Sequence, residues 1–344
     1  MKVLVTGGTG FVGSHLIEAL RAAGDSVRAI CRPSGDRNLL TRLGAETVPG
    51  ELEDAASLRA ACRGCDVVYH AAARVEIVGD QRDFYETTVA GTQRLVSAAL
   101  EAGVRRFVYI SSCGVYHPKL LDAGRVITEH TPTPVPPRWF VYGRTKLAAE
   151  QVVRTQVVAP TEWVIVRLTY IFGPRNRTMH RYLRPFMTSP MLRVVGAGDN
   201  EMAMLYVTDA ARCVVAAGRS PRAAGQSLIA AGTERVTQRD YLNAMAEGFG
   251  AQRPTKSVPY GVAFFCGWLS EWLYRFSAGS AGVSLNRSAI ALTGLPQRID
   301  GSFTRELLGW KPQVKFADGV RSAFDWYYNE YPNAVLAPAA PQGS

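Results

Sequence analysis

Hydrophobic positions change period twice within Met1 to Arg32, MKVLVTGGTGFVGSHLIEALRAAGDSVRAICR. Lys2 to Thr6 is a short apolar run suited to a strand buried on both faces. Phe11, Val12, Leu16, Leu20 and Ala23 then give a helix its apolar side, and Gly24 marks its end. Val27, Ala29 and Ile30 open the next buried strand. Gly7, Gly10 and Gly13 fall three residues apart where the first strand must turn into the helix. A pyrophosphate can lie on the free N–H groups of a helix N-terminus only where no side chain blocks it. A glycine triplet at this place therefore predicts a dinucleotide site.

The alternation continues downstream. After the loop Pro33 to Asn38 come a helical segment, a strand at Glu46–Thr47–Val48 and the stretch Gly50–Glu51–Leu52–Glu53–Asp54. An apolar strand, Asp66 to His70, runs into Ala71–Ala72–Ala73, and a helix carrying Thr87 to Ala102 leads to the strand Phe107 to Ser111. Strands separated by helices predict an α/β, Rossmann-type doubly wound parallel sheet. Right-handed crossovers place the C-terminal strand ends on one ligand-binding edge.

The second half reads differently. Trp163 to Leu168 is another strand, followed by Gly173–Pro174 and a loop with Arg175, Arg177, Arg181 and Arg184. Leu205 to Val207 reads as a short strand and Asp209 to Gly218 as a helix; helices and loops predominate from Thr237 to a last helix through Tyr328. The predicted division is a dinucleotide-binding domain over 1–170, with 204–231 returning to it. A smaller, mostly helical substrate-binding region would cover 171–203 and 232–333, with a disordered, proline-rich tail over 334–344. Segment 258–276 is aromatic-rich, but Pro259, Glu271 and Arg275 interrupt it, so it does not read as a spanning helix. It reads as a helix packed over the substrate cleft or as an interfacial helix giving peripheral membrane contact.

Composition narrows the classes. The 344 residues are 47% hydrophobic and 20% charged, as in soluble globular proteins. The formal charge of +10 comes from scattered arginines, without the basic block or aromatic strip of a nucleic-acid binder. Six cysteines do not make a disulfide scaffold, and Cys62–x–x–Cys65 has no second pair at zinc-like spacing, so no metal is expected. Met1 leads directly into the first strand, and the expectation is a reduced, cytoplasmic protein.

Two pieces carry chemistry. The strand at Phe107 ends in Ser111–Ser112–Cys113–Gly114–Val115–Tyr116, and about thirty residues later comes Tyr142–Gly143–Arg144–Thr145–Lys146. Tyrosine and lysine four apart lie on one helix face. A nearby ammonium stabilises phenolate and lowers the tyrosine pKa from about 10 toward neutrality. A hydroxyl at the strand end can hold a substrate oxygen while the tyrosine gives or takes its proton.

Together, TGGTGFVG, the small-residue run after a strand, ISS and YGRTK resemble the extended short-chain dehydrogenase/reductase superfamily of NAD-dependent epimerases and dehydratases, over nearly the whole chain. The resemblance implies Tyr142 as acid/base, Lys146 on the nicotinamide ribose and tuning that tyrosine, and Ser112 orienting the substrate oxygen. It also implies cofactor contacts from Gly7, Thr9, Gly10, Phe11, Val12 and Gly13, from Glu51 and Leu52 facing adenine, from Ala71, Ala72 and Ala73, and from Leu168 and Ile171 beside the nicotinamide. Thr88 falls where relatives often carry asparagine. Many relatives pair the helices corresponding to Thr87 to Ala102 and Tyr142 to Val153 across a two-fold axis, which implies a homodimer.

Where an NAD-preferring site carries an acidic residue, this chain has Cys31 followed by Arg32. Arginine there suits a 2′-phosphate, with Arg37 assisting, so NADP(H) is preferred and NAD(H) remains possible. Sugar-nucleotide relatives carry an arginine just before Y-V-x-D, where this chain has Met202–Ala203–Met204. The G-D-N stretch at Gly198 and the LLGWKP ending resemble the 3β-hydroxysteroid dehydrogenase-like branch, and V-R-A-x-x-R the dihydroflavonol-reductase-like one. The reading is an oxidoreductase interconverting a secondary alcohol and a ketone on a bulky apolar small molecule. The alternatives are a nucleotide-sugar epimerase or dehydratase, with Arg175, Arg177 and Arg181 on the diphosphate, and a scaffold that has kept the fold without chemistry.

Overall fold

A computed structural model describes residues 1–75, 81–189, 192–274 and 285–334. Arg275, Phe276 and the tail over 335–344 lie outside the described residues. The first half alternates β1 (Lys2–Thr6), α1 (Phe11–Ala22), β2 (Ser26–Cys31), α2 (Arg37–Arg42), β3 (Glu46–Pro49), α3 (Ala55–Cys62) and β4 (Val67–His70). It continues through α4 (Gln81–Tyr85), α5 (Gly91–Glu101), β5 (Arg106–Ser112), α6 (Pro118–Asp122), α7 (Val141–Gln156) and β6 (Glu162–Leu168).

Six of these strands and Ser227–Ala230 form one seven-stranded sheet, ordered Ser227–Ala230, β6, β5, β4, β1, β2, β3. Every pairing is parallel. The strands are continuous apolar runs because both faces are covered. Val3 and Val5 pack with Leu16 and Leu20 of α1, while Leu4 points the other way onto Leu58 and Leu95. Each such side chain contributes roughly 1.5–3 kcal/mol by leaving water. A third core, built on Phe172, Met202, Tyr241, Phe249, Phe324 and Tyr327, lies in the later part of the chain.

Three boundaries depart from the sequence reading. The helix expected over Thr87 to Ala102 is broken: Glu86–Ala90 is a π-helical turn between α4 and α5. Val207 starts the helix Val207–Arg219 instead of ending the strand before it. Ala334, assigned to the tail, is buried, and its carbonyl accepts a hydrogen bond from Arg184 Nη2 at 3.2 Å. No described helix is long and apolar enough to cross a membrane.

Candidate active site

The C-terminal ends of β1, β4, β5 and β6 open onto a cleft of about 1790 Å³. At its dinucleotide end the walls are backbone. Gly7 has φ +71°, and a Cβ there would stand 2.7 Å from the Ala72 nitrogen. A Cβ on Gly13 would meet the Gly7 carbonyl oxygen at 2.1 Å. Gly10, the N-cap of α1, makes no side-chain cap, so the first-turn N–H groups face the cleft without an internal acceptor from that side chain. This bare cradle at a positive helix end fits a pyrophosphate.

Of the cofactor residues read from the sequence, Gly7, Thr9, Gly10, Phe11, Val12, Gly13, Arg32, Glu51, Leu52, Ala71, Ala72, Ala73, Leu168 and Ile171 all line this cleft, as do Ser112, Tyr142 and Lys146. Arg32 is exposed at the end of β2 and has no ion-pair partner among the described residues. Two residues are placed elsewhere. Arg37 is exposed on the first turn of α2 and is not part of the cleft wall. Thr88 is buried, its hydroxyl accepting the Arg74 N–H at 3.3 Å, while its neighbour Thr87 lines the cleft. The π turn carries both, and its extra residue rotates side chains relative to an α-helix.

Ser112 ends β5, and its Oγ accepts the Gly114 N–H at 3.1 Å. Tyr142 and Lys146 stand one turn apart on α7. Gly143 lets the helix approach: a Cβ there would lie 2.2 Å from the Gly114 carbonyl oxygen. The expected electrostatics differ in one respect. Burial pushes the Tyr142 phenol up, and a hydrogen bond with Ser112 only partly offsets this; Lys146 is not among the groups lowering it. Lys146 is itself buried, which lowers it to about 7 against the opposing charge of Glu150. Its Nζ donates to the Ile110 carbonyl at 2.6 Å and lies 4.2 Å from the centre of the Tyr109 ring.

Several polar residues behind the site escaped the sequence reading. His70 bonds Thr6 Oγ1 at 2.7 Å and Thr92 Oγ1 at 2.9 Å; burial, then the Lys146 charge, push it down to about 3, so it stays neutral. Glu150 and Arg167 form a buried bidentate pair with contacts of 2.9 and 2.7 Å. An arginine inside the strand run Trp163 to Leu168 was the available clue, because a buried charge requires a partner. Cys113 is a packed thiol, raised to about 12 by burial.

Of the arginine-rich loop, Arg175 and Arg177 line the cleft but are engaged with α1 and the N-cap of α2. Arg175, with φ +65°, donates to Glu18 Oε1 of α1 at 2.8 Å and contacts His15, whose Nε2 is 3.0 Å from the Pro174 carbonyl. Burial pushes the Glu18 carboxyl up, but hydrogen bonds from Arg175 and His15 outweigh it and hold it at about 2. Arg177 lies 3.7 Å from Asp36, at the N-cap of α2, and Arg181 lies 5.2 Å from the centre of the Tyr182 ring.

Segment 258–276 contains the helix Tyr260–Tyr274, which presents both faces considered for it. Ala263, Cys266, Glu271 and Tyr274 line the cleft, whereas Val262, Phe265 and Leu273 are more than half exposed. Glu271 is paired with Arg287 at 2.6 Å, which removes its charge from the apolar surface.

Comparison with known proteins agrees with this geometry. Residues 3–231 match the NAD dependent epimerase/dehydratase family. A 4-hydroxy-2-methyl-3-oxo-4-farnesyl-3,4-dihydroquinoline-1-oxide ketoreductase of Stigmatella aurantiaca is 29% identical, covering 93% of this chain and 95% of its own. Sterol demethylase protein B of Methylococcus capsulatus is 32% identical over 93% of this chain and 97% of its own. Among solved structures, DesIV from Streptomyces venezuelae, a dTDP-glucose 4,6-dehydratase with NAD and TYD bound, superposes with a TM-score of 0.75 at 25% identity, covering 97% of this chain and 98% of that one. The chain belongs to the NAD dependent epimerase/dehydratase family, the extended short-chain dehydrogenases/reductases, and is a nicotinamide-dependent oxidoreductase of that family.

Proposed function

We propose that the enzyme interconverts a secondary alcohol and a ketone on a bulky apolar small molecule, with NADP(H) preferred and NAD(H) usable. The observation that carries this reading is the apolar end of the cleft beyond Tyr142, where Trp139, Phe186, Met187, Leu242 and Ile290 form the wall. The relatives named for farnesylated quinoline-oxide and sterol chemistry support the same substrate class.

Bound in the cradle from Gly7 to Gly13, a nicotinamide dinucleotide supplies or accepts the hydride. Tyr142 gives its phenolic proton to the substrate oxygen in reduction and takes it back in oxidation. The Ser112 hydroxyl holds that oxygen. Lys146 contributes positive charge beside it, which favours oxyanion character in the transition state. Arg32 pairs with a 2′-phosphate. Residues 171–203 and 232–333 form the substrate region, and 1–170 with 204–231 the dinucleotide domain. The enzyme works as a cytoplasmic homodimer, and the exposed face of Tyr260–Tyr274 gives peripheral membrane contact.

A second reading, internal-redox chemistry on a nucleotide sugar, is favoured by the likeness to DesIV. It requires cations for a diphosphate. Met202 is buried in the third core, and Arg175 and Arg177 are engaged with Glu18 and Asp36. These placements favour the apolar substrate.

The test follows reduced-nicotinamide absorbance with pooled apolar ketones, using NADPH and NADH in parallel and Tyr142→Phe as control. The expected result is loss of absorbance, faster with NADPH, that falls by about 10²-fold or more in the variant while cofactor affinity is kept. Silence with ketones, together with thermal protection by a UDP- or dTDP-sugar, would establish the second reading.

A further inference from the structure

Behind the Ser112, Tyr142 and Lys146 cluster lies a polar knot for which the proposed reaction has no direct use. Glu150, one turn beyond Lys146 on α7, is fully buried. Its Oε1 accepts the Ser111 hydroxyl at 2.6 Å and Arg167 Nε at 2.9 Å; its Oε2 accepts Arg167 Nη2 at 2.7 Å and Arg154 Nη2 at 3.3 Å. Arg167 Nη1 donates in turn to the Tyr116 hydroxyl at 2.8 Å, and that hydroxyl donates to the Thr128 carbonyl at 3.1 Å. One carboxylate therefore joins three elements that each end in the site: α7 with Tyr142 and Lys146, β5 with Ser111 next to Ser112, and β6 with Arg167 next to Leu168.

A buried pair of this kind is a poor way to gain stability, since apolar side chains of equal volume serve as well or better. Its retention under the reacting groups calls for another account. We propose that Glu150 is a positioning residue that locks α7 against the ends of β5 and β6 and sets a negative charge one turn from Lys146. The inference rests on the reading of Tyr142 and Lys146 given above.

The groups facing Lys146 leave this task to Glu150. On β4, His70 is neutral. From β5 come a neutral carbonyl, that of Ile110, and the Tyr109 ring, whose own hydroxyl burial keeps protonated. On α7 itself Tyr142 is kept protonated by burial. Arg167 on β6 is engaged with Glu150 and the Tyr116 hydroxyl. Glu150 alone opposes the effect of burial on the amine.

Two variants and two readouts test the proposal. Glu150→Gln keeps the shape and an acceptor for Ser111 but removes the charge; the double variant Glu150→Leu with Arg167→Met removes the pair and keeps the packing volume. Turnover and NADPH affinity, by energy transfer from protein fluorescence, are each followed from pH 5.5 to 10. The expected result is a folded double variant with turnover down about tenfold or more, and a Glu150→Gln variant whose alkaline limbs in both profiles fall by about one pH unit or more. A double variant that melts like the parent and keeps its turnover would overturn the proposal, as would a folded Glu150→Gln that keeps both limbs. Tyr142→Phe run alongside separates the two readings: retained turnover there defeats the acid/base assignment and leaves the limb shift in NADPH affinity to decide the role of Glu150.

Discussion

Lys146 reaches across to the backbone of β5, its Nζ 2.6 Å from the Ile110 carbonyl oxygen and stacked under Tyr109. The bond and the ring fix the amine from the strand side, one helical turn from Tyr142. Burial is the larger influence on this group, and it shapes the first prediction.

The folded-state value for Lys146, about 7, is below its ordinary 10.5. Between these values the unfolded chain holds a proton that the folded protein does not, so this group's contribution to stability rises with pH across the window. Below about pH 7 the buried ammonium carries its whole cost. Lys146→Met should therefore be more stable than the parent at pH 6.5, by no more than roughly 5 kcal/mol. The gain should shrink toward zero near pH 10.5. Calorimetry of the pair across that range checks the sign, and a constant difference would show that the amine does not titrate with folding.

The last two glycines of the triplet, Gly10 and Gly13, should separate folding from binding. At Gly10 an added Cβ meets only the Gly7 carbonyl at 3.1 Å, whereas at Gly13 it would collide with that carbonyl at 2.1 Å. Gly10→Ala should fold with a melting temperature near the parent's and lose cofactor binding, because the methyl occupies the approach to the helix N-terminus. Gly13→Ala should lose both, since relieving the overlap means separating α1 from the turn. Thermal scans with and without NADPH distinguish these outcomes.

Among the described residues Arg32 has no carboxylate partner, and no acidic residue adjoins it at the end of β2. Replacing it with Glu should weaken NADPH binding about 10- to 100-fold, the worth of a charged hydrogen bond to phosphate. NADH affinity should hold or improve. Equal losses for both cofactors would indicate that Arg32 stacks on the base instead of reading the 2′-phosphate.

Much of this molecule is legible without coordinates, and what is legible has a common cause. Gly7, Gly10 and Gly13, the apolar strands, and the Tyr142–Lys146 spacing are local requirements written in consecutive residues. The parts that escaped depend on partners far along the chain. Glu150 looks like a solvated helix residue until Arg167 and Ser111 are brought to it from two strands. Thr88 was misplaced because one added residue in a π turn is not visible as a break in periodicity. The arginine-rich loop offers a diphosphate clamp to the alternative reading, and only its partners in space show that its first member is held by α1.

That last contact carries a kinetic meaning. Residues 175–178 line the cleft and are tied to α1 and to the N-cap of α2 by Arg175 on Glu18 and His15 and by Arg177 near Asp36. A nucleotide entering over α1 should have to open this clasp, whereas a small molecule reaching Tyr142 should not. Turnover should accordingly be ordered, nucleotide first on and last off, and its off-rate should rise with ionic strength as the exposed part of the clasp is screened.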